Sequence, residues 1–479
     1  MLTKTIQKLG LSSFLYSLPQ FVGLLGSLVI LPILTRYLSP ADFGVFALMA
    51  LIIGIGLSVS SLKIESGLYR YHSLYEGSEK KDFLGTLFIA KTLLGILVSL
   101  LSLSLFSFLY FLGAGFPDLP FFPFMPAAAL IIFLQASSGF QLAVFVSEER
   151  PKLFTIVQVT SFFAVNFAAL FFIIYSGDGV WGRFKAMIIA EVLIFFLMTS
   201  LALKKINLKF KKKHLIRSIK FSLPLYLSDL VNLIYVYTDR LVLSFFEDIS
   251  KLGFLYISDK IAILIQSLFR AVEKSITPFI FNKKDSEIQK VTLENIFIIW
   301  SCLASIILLS FLILSEVFIK ESLGADFQDP SVFFAVKILG IAYFTTTIYP
   351  FFSIAIGIAE ETKYIIKVTS LSALANLFFN IIFIPIYGWL AAPFTTLVCC
   401  FITSICLGYL SYKKTEIKFN FTFPIIVLFM CLTIFTLSNL LLESYTLLNI
   451  LIKIILCPAI LVFLLLKFFK IEENVKKII

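Results

Sequence analysis

The sequence predicts an all-α integral membrane protein of about 14 transmembrane helices, built as two parallel-repeat six-helix lobes around a central cavity with two additional C-terminal helices. Three observations predict it. Only 14% of the 479 residues are charged and 59% are apolar, whereas a soluble domain carries roughly a quarter charged residues. Apolar runs of about 20 residues, long enough to cross about 30 Å of hydrocarbon, recur from end to end. The basic residues outside those runs fall mainly on one set of loops.

Charged or Gly/Pro-rich breaks mark the spans. The first seven lie near 11–34, 44–68, 83–112, 120–146, 153–175, 180–203 and 219–246. The second seven lie near 252–281, 293–318, 332–357, 365–386, 388–411, 422–442 and 447–469. No small-residue cleavage site follows the first run, so it reads as a spanning helix rather than a signal peptide. Cys302, Cys399, Cys400, Cys406, Cys431 and Cys457 all sit inside apolar runs and form no CxxC. They read as packing residues, not disulfides or metal ligands. The expected organisation is an N-terminal lobe at 1–203, a basic cytoplasmic linker at 204–220, a C-terminal lobe at 221–411, and two further spans with a cytoplasmic tail at 412–479.

Loop charge sets the orientation. With both termini in the cytoplasm, the inner loops and tails hold about 27 of the 40 Lys and Arg and the outer loops about 5, as the positive-inside rule requires. The densest run is Lys204, Lys205, Lys209, Lys211, Lys212, Lys213, Arg217 and Lys220. It reads as a topology anchor that touches anionic lipid head groups, not as a nucleic-acid site. The outer loops, longest near 113–120 and 320–330, leave no room for a catalytic domain. No inner loop carries a GxxxxGK[ST] phosphate loop, and no catalytic or metal-ligating set stands out. The chain is therefore not expected to be an enzyme.

The two sides of the basic run resemble each other. Ser17-Leu18-Pro19 matches Ser222-Leu223-Pro224, Thr35-Arg36 falls opposite Asp239-Arg240, Asp42-Phe43-Gly44 falls opposite Lys251-Leu252-Gly253, and Glu65 falls opposite Glu273. The offset corresponds to six spans, an even number, so the halves run in the same direction. Parallel repeats of this kind are a transporter architecture.

The stretch 31–48, with Thr35-Arg36-Tyr37-Leu38-Ser39-Pro40-Ala41-Asp42-Phe43-Gly44 at its centre, resembles the opening signature of bacterial polysaccharide exporters. That family lies within the multidrug/oligosaccharidyl-lipid/polysaccharide exporter superfamily. Ser222-Leu223-Pro224, Thr238-Asp239-Arg240 and the turn from Gly253 to Tyr256 resemble it again. The resemblance implies a flippase of the bacterial cytoplasmic (inner) membrane for undecaprenyl-pyrophosphate-linked oligosaccharides, serving O-antigen, capsule or a similar polymer. It implies membrane lipids as surroundings, with a polysaccharide polymerase and chain-length machinery as partners. No cofactor is expected beyond a coupling proton or sodium ion. The same residues have a plain structural reading: Ser39 as a helix N-cap, Pro40 at the first helical position and Asp42 in the first turn.

Eight cations remain inside the spans: Lys63, Lys91, Arg240, Lys260, Arg270, Lys274, Lys337 and Lys453. A charge at a helix centre costs about 2.5–3.5 kcal/mol on insertion scales, and snorkelling removes most of that near a helix end. In the eighth span, Tyr256, Asp259, Gln266, Arg270, Glu273, Lys274 and Thr277 share one stripe at helical spacing. That stripe is expected to face a watery cavity or charged partners. The cations expected to hold the cargo's pyrophosphate are Arg270, Lys63, Lys91, Arg240 and Lys274. Asp239, Asp259, Glu273, Asp229 and Glu65 are expected to balance them or to bind a coupling ion. Gln266, Asn232, Asn376 and Asn380 are expected to form a polar cavity stripe, with interhelical packing as the alternative for the asparagines.

The rival functions are a lipid-linked peptidoglycan precursor flippase, a multidrug exporter of the same superfamily and, from a different class, a membrane glycosyltransferase or polysaccharide polymerase. The cationic stripe argues against cationic drug cargo. The short outer loops argue against a glycosyltransferase.

Overall fold

In a bilayer every backbone N–H and C=O must find its partner inside the chain, and the apolar runs do so as helices. The computed structural model describes residues 2–113, 116, 118–281 and 286–417, with 419, 425, 426, 429, 430 and 433–437 beyond them; the side chains of 2–13, 271–275, 277–279, 281 and 286 lie outside the description. Among the described residues there are helices and turns but no strand.

Fourteen α-helices follow in order among the described residues: α1 (Leu2–Tyr37), α2 (Pro40–Ser61), α3 (Ile64–Tyr71), α4 (Gly77–Phe111), α5 (Phe121–Ser147), α6 (Pro151–Ile174), α7 (Val180–Leu203), α8 (Lys212–Phe246), α9 (Ile249–Phe281), α10 (Ser286–Ser322), α11 (Pro330–Thr346), α12 (Tyr349–Ile358), α13 (Lys363–Tyr387) and α14 (Ala391–Thr415). Twelve segments among the described residues are long and apolar enough to cross a membrane, with α11 and α12 together supplying one. They coincide with the first twelve expected spans. The thirteenth is described only at scattered helical residues between Ile425 and Leu437, and the fourteenth lies outside the described residues.

Two spans differ from expectation by being broken. The second span ends at Ser61, where Leu62 and Lys63 take left-handed backbone (φ 40° and 50°), and α3 starts afresh at Ile64. The tenth breaks at Thr347 and Ile348. There the indole N–H of Trp300 donates to the Thr347 carbonyl at 3.0 Å, replacing the helical bond that the break removes.

The chain forms two compact units, Met1–Phe254 and Leu255–Ile479. In the first, α5 packs against α2, α4 and α7, α6 lies between α1 and α7, and α8 lies along α2 and α3. Gly67 permits the α3–α8 approach: a Cβ there would stand 2.7 Å from the Ser218 Cβ. The basic segment 204–211 is laid along the start of α4 rather than projecting as a loop. Buried Asp82 accepts from Asn207 Nδ2 at 2.8 Å and pairs with Lys211 Nζ at 2.7 Å. The Thr86 hydroxyl donates to the Lys209 carbonyl and accepts from the Lys211 backbone N–H, at 3.1 and 3.0 Å. The Asp82 carboxylate holds the Lys211 ammonium above its usual range. In the second unit α11 and α13 flank α14, and Phe297, Trp300, Phe351, Phe352 and Phe419 share one aromatic core.

The repeat is visible in local structure. α1 and α8 are each long, carry an internal proline (Pro19 and Pro224), and reach the next helix through a two-residue turn. The signature stretch has its structural explanation. Ser39 and Asp42 form a capping box, with the Asp42 carboxylate accepting from the Ser39 backbone N–H at 2.8 Å. The glycines that follow are in mutual contact within the first unit. A Cβ on Gly44 would stand 2.0 Å from the Ile249 carbonyl oxygen, and one on Gly253 would stand 1.9 Å from that of Pro40. Neither backbone can yield as a side chain would. Gly44→Val and Gly253→Val should each cost at least the ~1–3 kcal/mol typical of overpacking. That cost should appear as a lower melting temperature of the detergent-purified protein, and unchanged melting would mean that the two helix starts do not cross at these glycines.

Candidate functional site

The broken second span organises the charges of the first unit. At the break the Ser61 hydroxyl accepts from the Lys63 backbone N–H at 3.0 Å and donates to Glu65 Oε2 at 3.2 Å. Glu65, on the first turn of α3, meets Lys91 of α4 with 2.6 Å between Oε1 and Nζ. Lys91 is 4% exposed, so its charge depends on Glu65. Lys63 reaches the other way, to Asp229 of α8, at 2.7 Å. This second pair is open, with side chains 32% and 52% exposed.

Four of the expected site residues, Lys63, Glu65, Lys91 and Asp229, are therefore brought together as two ion pairs on α3, α4, α8 and the break. One pair is closed and the other is open to exchange. Exposed pairs of this kind contribute about 0–1 kcal/mol. The backbone there is strained, since left-handed non-glycine positions cost on the order of 1–3 kcal/mol each.

The rest of α8 does not present one polar face. Ser222 and Arg240 are buried, whereas Asp229 and Asn232 are exposed. Asp239 accepts from the Arg240 backbone N–H at 2.7 Å, and the Arg240 guanidinium lies 5.8 Å from the centre of the Tyr237 ring.

In the second unit the eighth-span stripe is divided between α11 and open surface. The Tyr343 hydroxyl donates to Asp259. Gln266 Nε2 donates to the Thr346 hydroxyl at 3.1 Å. Arg270 is exposed, and no acidic partner holds it among the described residues. Glu273, Lys274 and Thr277 have side chains outside the described residues, as does the whole of Lys453. Lys260 is exposed over the Tyr256 ring, and Lys337 pairs with Glu316 at 2.8 Å.

Asn376 and Asn380 are 2% and 0% exposed and lie in the α13–α14 interface, which removes them from a water-facing stripe. Asn380 Nδ2 donates to Asn376 Oδ1 at 3.1 Å, and the Thr395 hydroxyl donates to Asn380 Oδ1. The packing alternative accounts for them.

Glu316, Tyr343 and Thr346 were not singled out in the sequence, and neither was Glu191, a buried carboxyl in the middle of α7. Glu191 is visible as the single acidic residue in an apolar run. A survey of intramembrane cations passes over it.

Twelve segments among the described residues, long and apolar enough to cross a membrane, define a multi-pass membrane protein. A family model described as polysaccharide biosynthesis protein matches residues 33–292, more than half of the sequence, and the chain belongs to that family. Comparison with curated protein sequences finds no match. Among solved structures the fold is similar to a lipid II flippase MurJ in its inward closed conformation, with TM-score 0.74 and 19% identity over 95% of this chain and 98% of that one. It is similar to an inward-facing multidrug resistance MATE family transporter of the MOP superfamily, with TM-score 0.60 and 15% identity over 84% of this chain and 94% of that one. A MOP superfamily transporter from Pyrococcus furiosus, described by the reverse polarity of its binding pocket, gives TM-score 0.53 and 15% identity over 85% and 95%.

The closed pair makes a forecast of its own. Glu65→Gln leaves Lys91 charged and buried, and loss of one partner of a buried pair costs about 3–5 kcal/mol. Folded protein recovered from membranes should fall sharply. Adding Lys91→Met should restore it, because the charge then leaves with its partner. A Glu65→Gln variant as stable as the parent protein would show that water, not Glu65, solvates Lys91.

Proposed function

We propose that this protein flips an undecaprenyl-pyrophosphate-linked oligosaccharide across the bacterial cytoplasmic membrane by alternating access, without covalent chemistry. Membership of a polysaccharide biosynthesis family gives the biological setting. The observation that carries the choice of cargo is the pattern of available cations. Lys63 sits at a strained break beside an exchangeable carboxylate, and Arg270 is exposed inside a spanning helix. A pyrophosphate is the anionic group that such cations accept, and the guanidinium can bind it bidentately. The glycan's hydroxyls need polar partners, and the lipid tail stays in the bilayer. A second reading, a lipid-linked peptidoglycan precursor as cargo, is favoured by the similarity to the lipid II flippase fold. Both cargoes are lipid-linked glycans, and complementation with each pathway's reporter separates them.

Export of surface glycan, measured at matched protein levels, tests the reading. Arg270→Ala should abolish export while insertion stays normal. Arg270→Lys should restore only part of it, because a point charge lacks the planar fork. Lys63→Ala should also lower export. If instead Arg270→Ala is fully rescued by neutralising Asp259 or Glu273, then Arg270 serves architecture and not cargo.

Orientation has its own test. The positive-inside rule places both termini and the basic segment at 204–220 in the cytoplasm. A cysteine at position 212, in a version without native cysteines, should resist an impermeant thiol reagent in intact cells and react after permeabilisation. Labelling in intact cells would invert the topology.

A further inference from the structure

Glu65, Asp229 and Glu316 each meet a lysine. Glu191 meets none among the described residues. It lies at the middle of α7, about 16 Å of helix from Val180 and about 18 Å from Leu203, and is 9% exposed. Its carboxyl accepts one hydrogen bond from a side chain, from Gln135 Nε2 of α5, at 2.9 Å.

The helices packed on α7 are α2, α5 and α6. α5 contains no charged residue, α2 only Asp42 in its first turn, and α6 only Lys152 beside its first residue. On α7 itself, Lys185 pairs with Asp178 at 2.7 Å and Arg183 donates to Asn166 at 2.8 Å, both toward the beginning of the helix. Among the described residues no cation is placed to neutralise Glu191.

A carboxylate without a cation at mid-membrane depth is a costly group, and such groups neutralise rather than stay charged. The partner fits the neutral form. A carboxylic acid and a primary carboxamide are complementary in two hydrogen bonds: the amide N–H donates to the acid's carbonyl oxygen, and the acid O–H donates back to the amide oxygen. An ionised carboxylate keeps only the first. One turn further along the same face of α5, Gly139 has open space where a Cβ would stand, which leaves room for water to exchange a proton with the pair.

We propose that Glu191, hydrogen-bonded to Gln135, binds a proton within the membrane-spanning part of the first unit, and that this is the proton coupled to cargo movement. The proton sits on the Glu191 oxygen not engaged by Gln135 Nε2, and leaves to water when separation of α5 and α7 exposes the carboxyl. The coupling half rests on the flippase reading. The proton-binding half does not.

Infrared pH titration of the full-length protein in nanodiscs tests the site without any cargo. The parent protein should show a protonated carboxylic-acid carbonyl band at neutral pH. Glu191→Gln should abolish that band. Gln135→Leu should keep it but shift it, because the amide hydrogen bond is gone. Identical spectra for the parent and E191Q throughout this region would overturn the site. Should E191Q fail to fold, an unshifted band in Q135L overturns it equally.

Export then tests coupling. A protonophore should depress glycan export in parent cells, while E191Q, a permanent mimic of the neutral acid, should no longer respond to it. An equal response in both overturns the coupling half. If parent cells export no glycan under any gradient, the flippase reading fails and takes the coupling half with it, and the infrared titration still decides whether Glu191 binds a proton.

Discussion

The bilayer supplies no hydrogen-bond partners, and most of the architecture follows from that absence. Helices satisfy the backbone along each span. Wherever a span is interrupted, a side chain stands in for the missing partner. The Trp300 indole takes the Thr347 carbonyl left over between α11 and α12, and the Ser61 hydroxyl takes the Lys63 N–H at the α2–α3 break. Side-chain hydroxyls elsewhere bond back to their own helix, as Ser301 does to the Phe297 carbonyl at 2.7 Å. The breaks therefore occur where polar side chains can cover them, and at the α2–α3 break Lys63 and Glu65 bring charge beside one.

Charge obeys the same constraint at higher stakes. Lys91 is tolerable in α4 because Glu65 meets it at 2.6 Å, and Lys337 in α11 because Glu316 meets it at 2.8 Å. Those closed pairs hold helices together and have little freedom to bind anything else. Lys63 and Arg270 differ in kind. One is paired through an exposed contact and the other is exposed without an acidic partner among the described residues. A closed pair leaves no cation on offer, whereas an open cation forgoes the pairing that offsets its cost inside a span.

The sequence made the helices legible because spanning runs leave few alternatives. Twelve expected spans coincide with described helices, and the capping box at Ser39 and Asp42 was readable from residue types alone. The break at Leu62 and Lys63 was not. Left-handed backbone usually announces itself through glycine or asparagine, and here a leucine and a lysine adopt it because tertiary contacts hold them there. The partners of the eighth-span stripe were also hidden. Tyr343 and Thr346 look like ordinary residues of an apolar helix until α11 is placed beside α9. Asn376 and Asn380 show the limit of periodicity: a shared helical face states that residues lie together, but not whether water or another helix covers them.

Glycine completes the logic of the signature stretch. Asp42-Phe43-Gly44 and Lys251-Leu252-Gly253 correspond in the repeat, and the two glycines bring the starts of α2 and α9 to backbone contact. A capping box fixes where α2 begins, and Gly44 then allows α9 to cross it within the first unit. The most recognisable stretch of the sequence thus has a structural account. It records a helix start and a close crossing. Single charged residues such as Lys63, Arg270 and Glu191 lie outside that stretch, and no signature marks them.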